Sequence, residues 1–239
     1  MKAVLLLAGF GSRLRPLTDK MPKALLPIGD SNALELMVNK LRSNGVESFI
    51  IVTGYRQEMI SGFFKKTFPD LQVQFVDNPR YETTNTGYSL LCARQYVEGS
   101  DFIKLDGDVV FNEEIVKKLL SAEEGNYLCL DRSEVDNEVI KVSLDAESKV
   151  ISVGKSVPLT NAAGESIGIE RISATSSPLL FDCLKELMKD PAHLQSYYEV
   201  AYDQIIQDGQ LFKTIDISGL RWVEMDTLED YQLAQSYFS

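Results

Sequence analysis

The chain opens on a short continuous apolar run, Lys2 to Ala8, that stops at Gly9-Phe10-Gly11-Ser12. A run with no polar alternation is the mark of a strand covered on both faces, as in the middle of a parallel sheet. The glycines that end it read as a loop. The same rhythm then repeats. Ser31 is a candidate N-cap ahead of Leu34, Met37, Val38 and Leu41 at helical spacing, with Gly45 as the stop. Short β-rich runs at Ser48 to Thr53, Leu71 to Val76, Phe102 to Leu105 and Tyr127 to Leu130 are separated by helical stretches around 57–67, 87–97 and 113–122. Strand and helix alternate through about residue 131, which predicts an open α/β sheet with right-handed crossovers.

Beyond that point the spacing tightens. Val139 to Leu144, Val150 to Val153 and Ile167 to Ala174 read as closely spaced strands, with turns at 145–148 and 161–164, and predict a mixed or antiparallel patch. Helices are expected at about 177–189 and 197–208, strands at 211–217 and Trp222 to Met225, and a closing helix from Leu228. No Pro/Gly/Ser-rich linker or internal repeat interrupts residues 1–239, so one domain is expected, with residues 1–131 serving one ligand and residues 132–239 a second.

Composition narrows the chemistry. With 24 Lys+Arg against 35 Asp+Glu the net charge is −11, and the acidic balance removes the broad attraction that nucleic acids and anionic membranes require. Any phosphate site must be local. The longest apolar stretch, Ala3 to Ala8, is far below the ~18 residues of a membrane span, and Gly9 ends it before any signal-peptide pattern, so a cytoplasmic location is expected. Cys92, Cys129 and Cys183 lie far apart and His193 is the lone histidine. A zinc site is not expected; the cysteines read as small buried hydrophobes.

Gly9-x-Gly11 after an apolar strand is a phosphate-binding pattern, because residues without Cβ let backbone N–H groups approach an anion. Leu14 stands where the dinucleotide fingerprint needs a small residue, and the Gly-Lys-Ser/Thr of the P-loop is missing. Instead Arg13, Arg15 and Lys23 surround the loop with cations. Leu6-Leu7-Ala8-Gly9-Phe10-Gly11-Ser12-Arg13-Leu14 through Pro22-Lys23-Ala24-Leu25-Leu26-Pro27-Ile28 resembles the nucleotidyltransferase signature L-A-A-G-x-G-x-R-L followed by P-K-x-L-L-P. Leu7 departs from the usual small residue. The resemblance implies a Rossmann-like nucleotidyltransferase fold of GT-A type, an open mixed, mostly parallel sheet flanked by helices with a small antiparallel elaboration on the acceptor side. It implies that Leu7, Ala8, Gly9, Gly11 and Ser12 hold a nucleoside triphosphate, while Arg13 and Lys23 neutralise phosphates as the catalytic cations.

Two acidic stations follow strands. Asp106-Gly107-Asp108 comes directly after Phe102 to Leu105, and Asp226 lies between Trp222 to Met225 and a helix, where it could equally be that helix's N-cap. In the resembled family such aspartates carry Mg²⁺; Asp108 and Asp226 match best as metal ligands, with Asp106 beside the nucleotide and a third candidate. The reaction implied is attack of an acceptor phosphate or phosphonate oxygen on the α-phosphorus, releasing pyrophosphate.

The sugar-1-phosphate branch usually carries a Gln- and Pro-rich stretch and a Glu-Lys-Pro. This chain has Asn78-Pro79-Arg80-Tyr81 with Thr84-Asn85-Thr86-Gly87-Tyr88-Ser89-Leu90, and Gly154-Lys155-Ser156. That pattern is similar to cytidylyltransferases that activate phosphocholine and related acceptors, which implies CTP as substrate and places Asn85 and Ser89 near the nucleotide. In the second half Glu199 and Asp203 are four apart, as are Tyr198 and Tyr202, and an alkylammonium group needs such carboxylates and aromatic faces. Glu199, Tyr202 and Asp203 are the expected head-group residues, Asp136 and Glu138 the second choice, with Lys155 or Lys141 at the acceptor's phosphate. A sugar-1-phosphate enzyme of the same fold and a non-catalytic nucleotide-sensing domain are the alternatives; a homo-oligomer is left open.

Overall fold

The computed structural model describes residues 1–133 and 135–239. Strand β1 (Lys2–Leu7) leads through three single 3-10 turns and a small hairpin, β2 (Pro27–Ile28) and β3 (Ser31–Asn32), to helix α1 (Ala33–Ser43). The cap of α1 is Asn32 rather than Ser31: its side chain accepts from the Glu35 amide at 2.9 Å. Then come β4 (Ser48–Thr53), α2 (Gln57–Thr67), β5 (Gln72–Asp77), α3 (Thr86–Cys92), α4 (Arg94–Val97), β6 (Phe102–Asp106), β7 (Val109–Phe111), α5 (Glu113–Ser121) and β8 (Asn126–Asp131). The second half adds β9 (Lys141–Leu144), β10 (Val150–Gly154), β11 (Gly164–Ile172), α6 (Ser177–Leu187), α7 (Glu199–Gln207), β12 (Phe212–Asp216), β13 (Trp222–Glu224) and α8 (Leu228–Phe238).

Among the described residues nine strands form one mixed sheet in the order β10-β9-β11-β6-β1-β4-β5, with β8 on β11 and β12 outside β8. β1, β4, β5 and β6 run parallel, as do β8 and β12; β11 is antiparallel to β6, β8 and β9. The period-2 pattern of β1 explains its even burial. Ala3, Leu5 and Leu7 pack on the α1, α2 and α5 side, while Val4 and Leu6 pack on the side of α3, α6 and α7.

Two features escaped the sequence pattern. β11 kinks: its register against β8 shifts between Ser166 and Glu170, and Gly168 in the kink takes φ +75°. β7, too short to be seen beside the Asp-Gly-Asp turn, pairs antiparallel with β13 in a separate ribbon, Val109 opposite Glu224. That ribbon, clamped by the Met225 amide on the Asp108 carbonyl at 3.0 Å, brings the two acidic stations together across more than a hundred residues of sequence. Among the cysteines Cys129 is buried, while Cys92 and Cys183 are half-buried. Among the described residues no helix is long and apolar enough to cross a membrane.

Candidate active site

A cavity of about 460 Å³ opens at the C-terminal ends of β1 and β6, walled by the glycine loop, the Asp106-Gly107-Asp108 turn, β11 and the start of α7. Gly11 takes a left-handed conformation, φ +61°, and a Cβ there would stand 3.1 Å from both Lys23 Cβ and Thr18 Cγ2. The loop is held from behind: the Thr18 hydroxyl donates to the Gly11 carbonyl at 2.8 Å, and the Tyr55 hydroxyl donates to the Thr18 carbonyl at 2.9 Å.

Lys23 is the electrostatic hub of the open side. Its Nζ lies 2.7 Å from Asp108 Oδ2 and 2.8 Å from Asp226 Oδ1, while Arg13 reaches Asp226 Oδ2 at 2.5 Å. Burial alone would disfavour the Lys23 ammonium, but the two carboxylates outweigh it and hold its pKa above the ordinary lysine value. Lys23 in turn overcomes the desolvation of Asp108 and lowers that carboxyl's pKa. Arg13 is mostly exposed, so it is free to leave Asp226 for a ligand.

Asp108, Glu224 and Asp226 each place a carboxylate oxygen within 4.8 Å of the others, a set of hard donors that could hold a divalent cation. Asp108 Oδ1 is buried with no hydrogen-bond partner among the described residues. Glu224 was missed in the sequence, although it stands only two residues before Asp226. Asp226 is not the cap of α8. Thr227 fills that role in a capping box with Asp230, leaving both Asp226 oxygens to the cations.

Asp106 faces a second, buried group. The Lys104 ammonium, fully enclosed, contacts Glu170 Oε2 at 2.7 Å, Asp106 Oδ2 at 3.2 Å and the Gly168 carbonyl at 3.2 Å, and donates to the Tyr198 hydroxyl. Tyr198 donates to Asp106 Oδ2 at 2.7 Å. The kink at Gly168 makes room for this carboxylate, since a Cβ there would come within 2.5 Å of Asp106 Oδ2. Burial raises the pKa of both Asp106 and Glu170, and Lys104 opposes the rise. Lys104 and Glu170 carried no sequence signal: they lie far apart in the chain and meet only through the pairing of β6 with β11.

The remaining sequence candidates divide. Leu7, Gly9, Gly11, Ser12, Asn85, Lys155 and Glu199 line the cavity. Ala8 does not; its carbonyl is tied to the Tyr55 amide at 3.1 Å. Ser89 lies behind the wall, accepting from Asn78 Nδ2 at 3.0 Å, and Asn85 caps α3 through the Thr86 amide at 2.8 Å. Two expected head-group residues are corrected. Tyr202 is fully buried between the rings of Tyr198 and Phe212. Asp203 is turned onto β10, accepting from Ser152 Oγ at 2.7 Å and the Val153 amide at 2.9 Å. The i,i+4 aromatic pair is a core stripe that packs α7 on the sheet. Lys141, also buried, donates to the Asn137 and Val139 carbonyls at 3.4 and 3.5 Å. Glu165, half-buried on β11, lines the cavity instead.

A glycine loop bearing a lysine and an arginine, opposed by carboxylates at the ends of parallel strands, is the arrangement of an enzyme that transfers nucleotidyl groups. Residues 3–157 match the MobA-like NTP transferase domain, and the chain belongs to that family of nucleotidyltransferases. It is 25% identical to the CTP:phosphoglutamine cytidylyltransferase of Campylobacter jejuni, over 98% of each chain. It is 28% identical to the CMP-5'-(3-aminopropyl)phosphonate synthase of Streptomyces rubellomurinus, over all of this chain but 39% of that longer protein. The CTP:phosphocholine cytidylyltransferase of Streptococcus pneumoniae superposes with a TM-score of 0.82 at 20% identity, over 100% of this chain and 99% of the other; at that identity the likeness shows the fold.

Proposed function

We propose that the chain catalyses Mg²⁺-dependent transfer of CMP from CTP to a small, phosphocholine-like phosphate or phosphonate acceptor, releasing pyrophosphate. The observation that carries the proposal is the Lys23–Asp108–Asp226–Arg13 cluster at the mouth of the glycine loop. The cytidylyltransferase relatives and the Asn78 to Leu90 run favour CTP as the nucleotide.

In this reading the glycine loop from Gly9 to Ser12 cradles the triphosphate, and Arg13 and Lys23 exchange carboxylates for phosphate oxygens. Asp108 and Asp226, with Glu224, would hold Mg²⁺, which when bound neutralises phosphate charge beyond what two side chains can. An acceptor oxygen attacks the α-phosphorus; the new P–O bond forms as the bond to the β-phosphate's bridging oxygen breaks, and pyrophosphate leaves with the electron pair. The acceptor phosphate is already ionised near neutral pH, so no proton is removed. Catalysis then rests on positioning and charge neutralisation, and His193 takes no part. Soluble substrates of this kind accord with a cytoplasmic location.

The test is pyrophosphate release scanned over four nucleoside triphosphates, with and without Mg²⁺, against phosphorylated alcohols, phosphonates and hexose 1-phosphates. Turnover with CTP and a phosphorylated alcohol or phosphonate, lost without Mg²⁺, is the expected result. Preference for a hexose 1-phosphate would replace the proposal with the sugar-nucleotide alternative, and absence of turnover with every pair would favour a nucleotide-sensing role.

A further inference from the structure

The cavity wall formed by β11 and the first turn of α7 is short of positive charge. Asp106, Glu170 and Glu199 are three carboxylates around one ammonium, Lys104, whose contacts go to Asp106 and Glu170. Glu199 is 5% exposed, lines the cavity, and its Oε2 has no hydrogen-bond partner among the described residues. Buried carboxylates are costly without a donor or a countercharge. Glu165, elsewhere on the lining of the same cavity, adds another carboxyl, with Asp131 and Asp136 as its acidic neighbours. Burial pushes Glu199 up to about 7, and Lys104 together with hydrogen bonding from its own backbone and from Tyr198 only partly offsets it.

The aromatic surfaces here are already engaged. The Tyr198 ring has Lys104 Nζ 3.6 Å from its centroid, and Tyr202 is enclosed in the core. Tyr197 lines the cavity with an exposed ring, but Lys155 Nζ stands 5.3 Å from its centroid. A quaternary ammonium has no N–H and is recognised through π faces; a primary ammonium is recognised by oxygen acceptors that take its N–H bonds. This wall offers the second kind of surface.

Resting on the cytidylyl-transfer reading above, we infer that the acceptor carries an N–H-bearing ammonium, an aminoalkyl phosphate or phosphonate rather than a trimethylammonium compound, and that Glu199 is the residue that accepts its hydrogen bonds. Glu199 acts on specificity: it binds the end of the acceptor remote from the reacting phosphate. Its position at the start of α7, where the helix dipole favours an anion, suits a carboxylate kept ionised by its ligand.

The experiment uses phosphoethanolamine and its N-methyl, N,N-dimethyl and N,N,N-trimethyl forms as acceptors with CTP and Mg²⁺, following CMP-ester formation. Positive charge is constant along that series while the N–H bonds fall to none, so a site that reads charge alone treats the four alike. The expected kcat/KM drops at least ~10²-fold from the unmethylated to the trimethylated acceptor, as for sites built to pair a substrate N–H. Glu199→Gln should raise KM for phosphoethanolamine at least ~10-fold with the KM for CTP within about 2-fold, a split that marks loss of acceptor binding. If Glu199→Gln melts below assay temperature, the wild-type series, which needs no variant, carries the test. A flat series, or preference for the trimethyl compound, overturns the inference and leaves cytidylyl transfer standing. Absence of a CMP ester from all four, with turnover of a hexose 1-phosphate, overturns both.

Discussion

Two lysine–carboxylate clusters meet at Asp106-Gly107-Asp108, one on each side of the turn, and they are built for different work. Lys23 faces the open cavity, paired to Asp108 and Asp226 with exposed Arg13 beside it. Lys104, two residues before Asp106 and therefore on the same strand face, is sealed against Glu170 and Tyr198. Ion pairs at a solvent-facing mouth can trade partners when a polyanion arrives, because water and the ligand replace what is given up. A fully enclosed pair cannot: separating it strands a charge in low dielectric. The first cluster is thus a place where ligands exchange, and the second fixes the shape and charge of the wall they meet.

The largest expected effect separates the clusters on activity. Asp108→Asn, nearly isosteric but a poorer ligand for a hard cation, should lower Mg²⁺-dependent turnover at least ~10³-fold, and Asp226→Asn should do the same. Melting curves check that the fold survives. Retained turnover in Asp226→Asn would remove that residue from the site. Next, Lys104→Met should destabilise the protein by roughly 3–5 kcal/mol, the cost of leaving Glu170 buried without its cation, read by denaturant unfolding. A loss under ~1 kcal/mol would show that the Lys104 cluster is not a closed electrostatic unit.

Arg13→Ala and Lys23→Ala should each lower kcat/KM at least ~10²-fold while remaining folded and soluble, since each removes a charge from the cavity rather than from packing. The smallest effects belong to the residues assigned to the core of α7. Tyr202→Phe removes a buried hydroxyl that has no partner among the described residues, so stability should change by less than about 1 kcal/mol. Asp203→Asn should leave the acceptor KM within about 2-fold; a large rise would return Asp203 to the cavity.

The alternating region of the chain was legible because short runs with an apolar centre such as Ser48–Thr53 and amphipathic stretches such as Gln57–Thr67 carry their period in a few residues. The glycine loop and its two cations were legible for another reason: Gly9, Gly11, Arg13 and Lys23 are local in sequence. What the sequence hid is created by pairing at a distance. Glu224 joins Asp108 only because β7 and β13 form a ribbon, and three apolar residues after a turn give no period to detect. Lys104 and Glu170 meet across β6 and β11, where they are register partners. The i,i+4 geometry of Tyr198 and Tyr202 was read correctly, but spacing places residues on one face without saying whether that face meets ligand or sheet; here it meets the sheet.

The direct measurement of the role given to the Lys23 cluster is to follow label from CTP carrying ³²P at the α or the γ position, with Mg²⁺ and an aminoalkyl phosphate. Attack at the α-phosphorus requires the α label to appear in the acceptor product and the γ label in pyrophosphate, with both transfers lost together in Asp108→Asn. γ label on the acceptor, or α label moving at the wild-type rate in Asp108→Asn, would contradict the assignment.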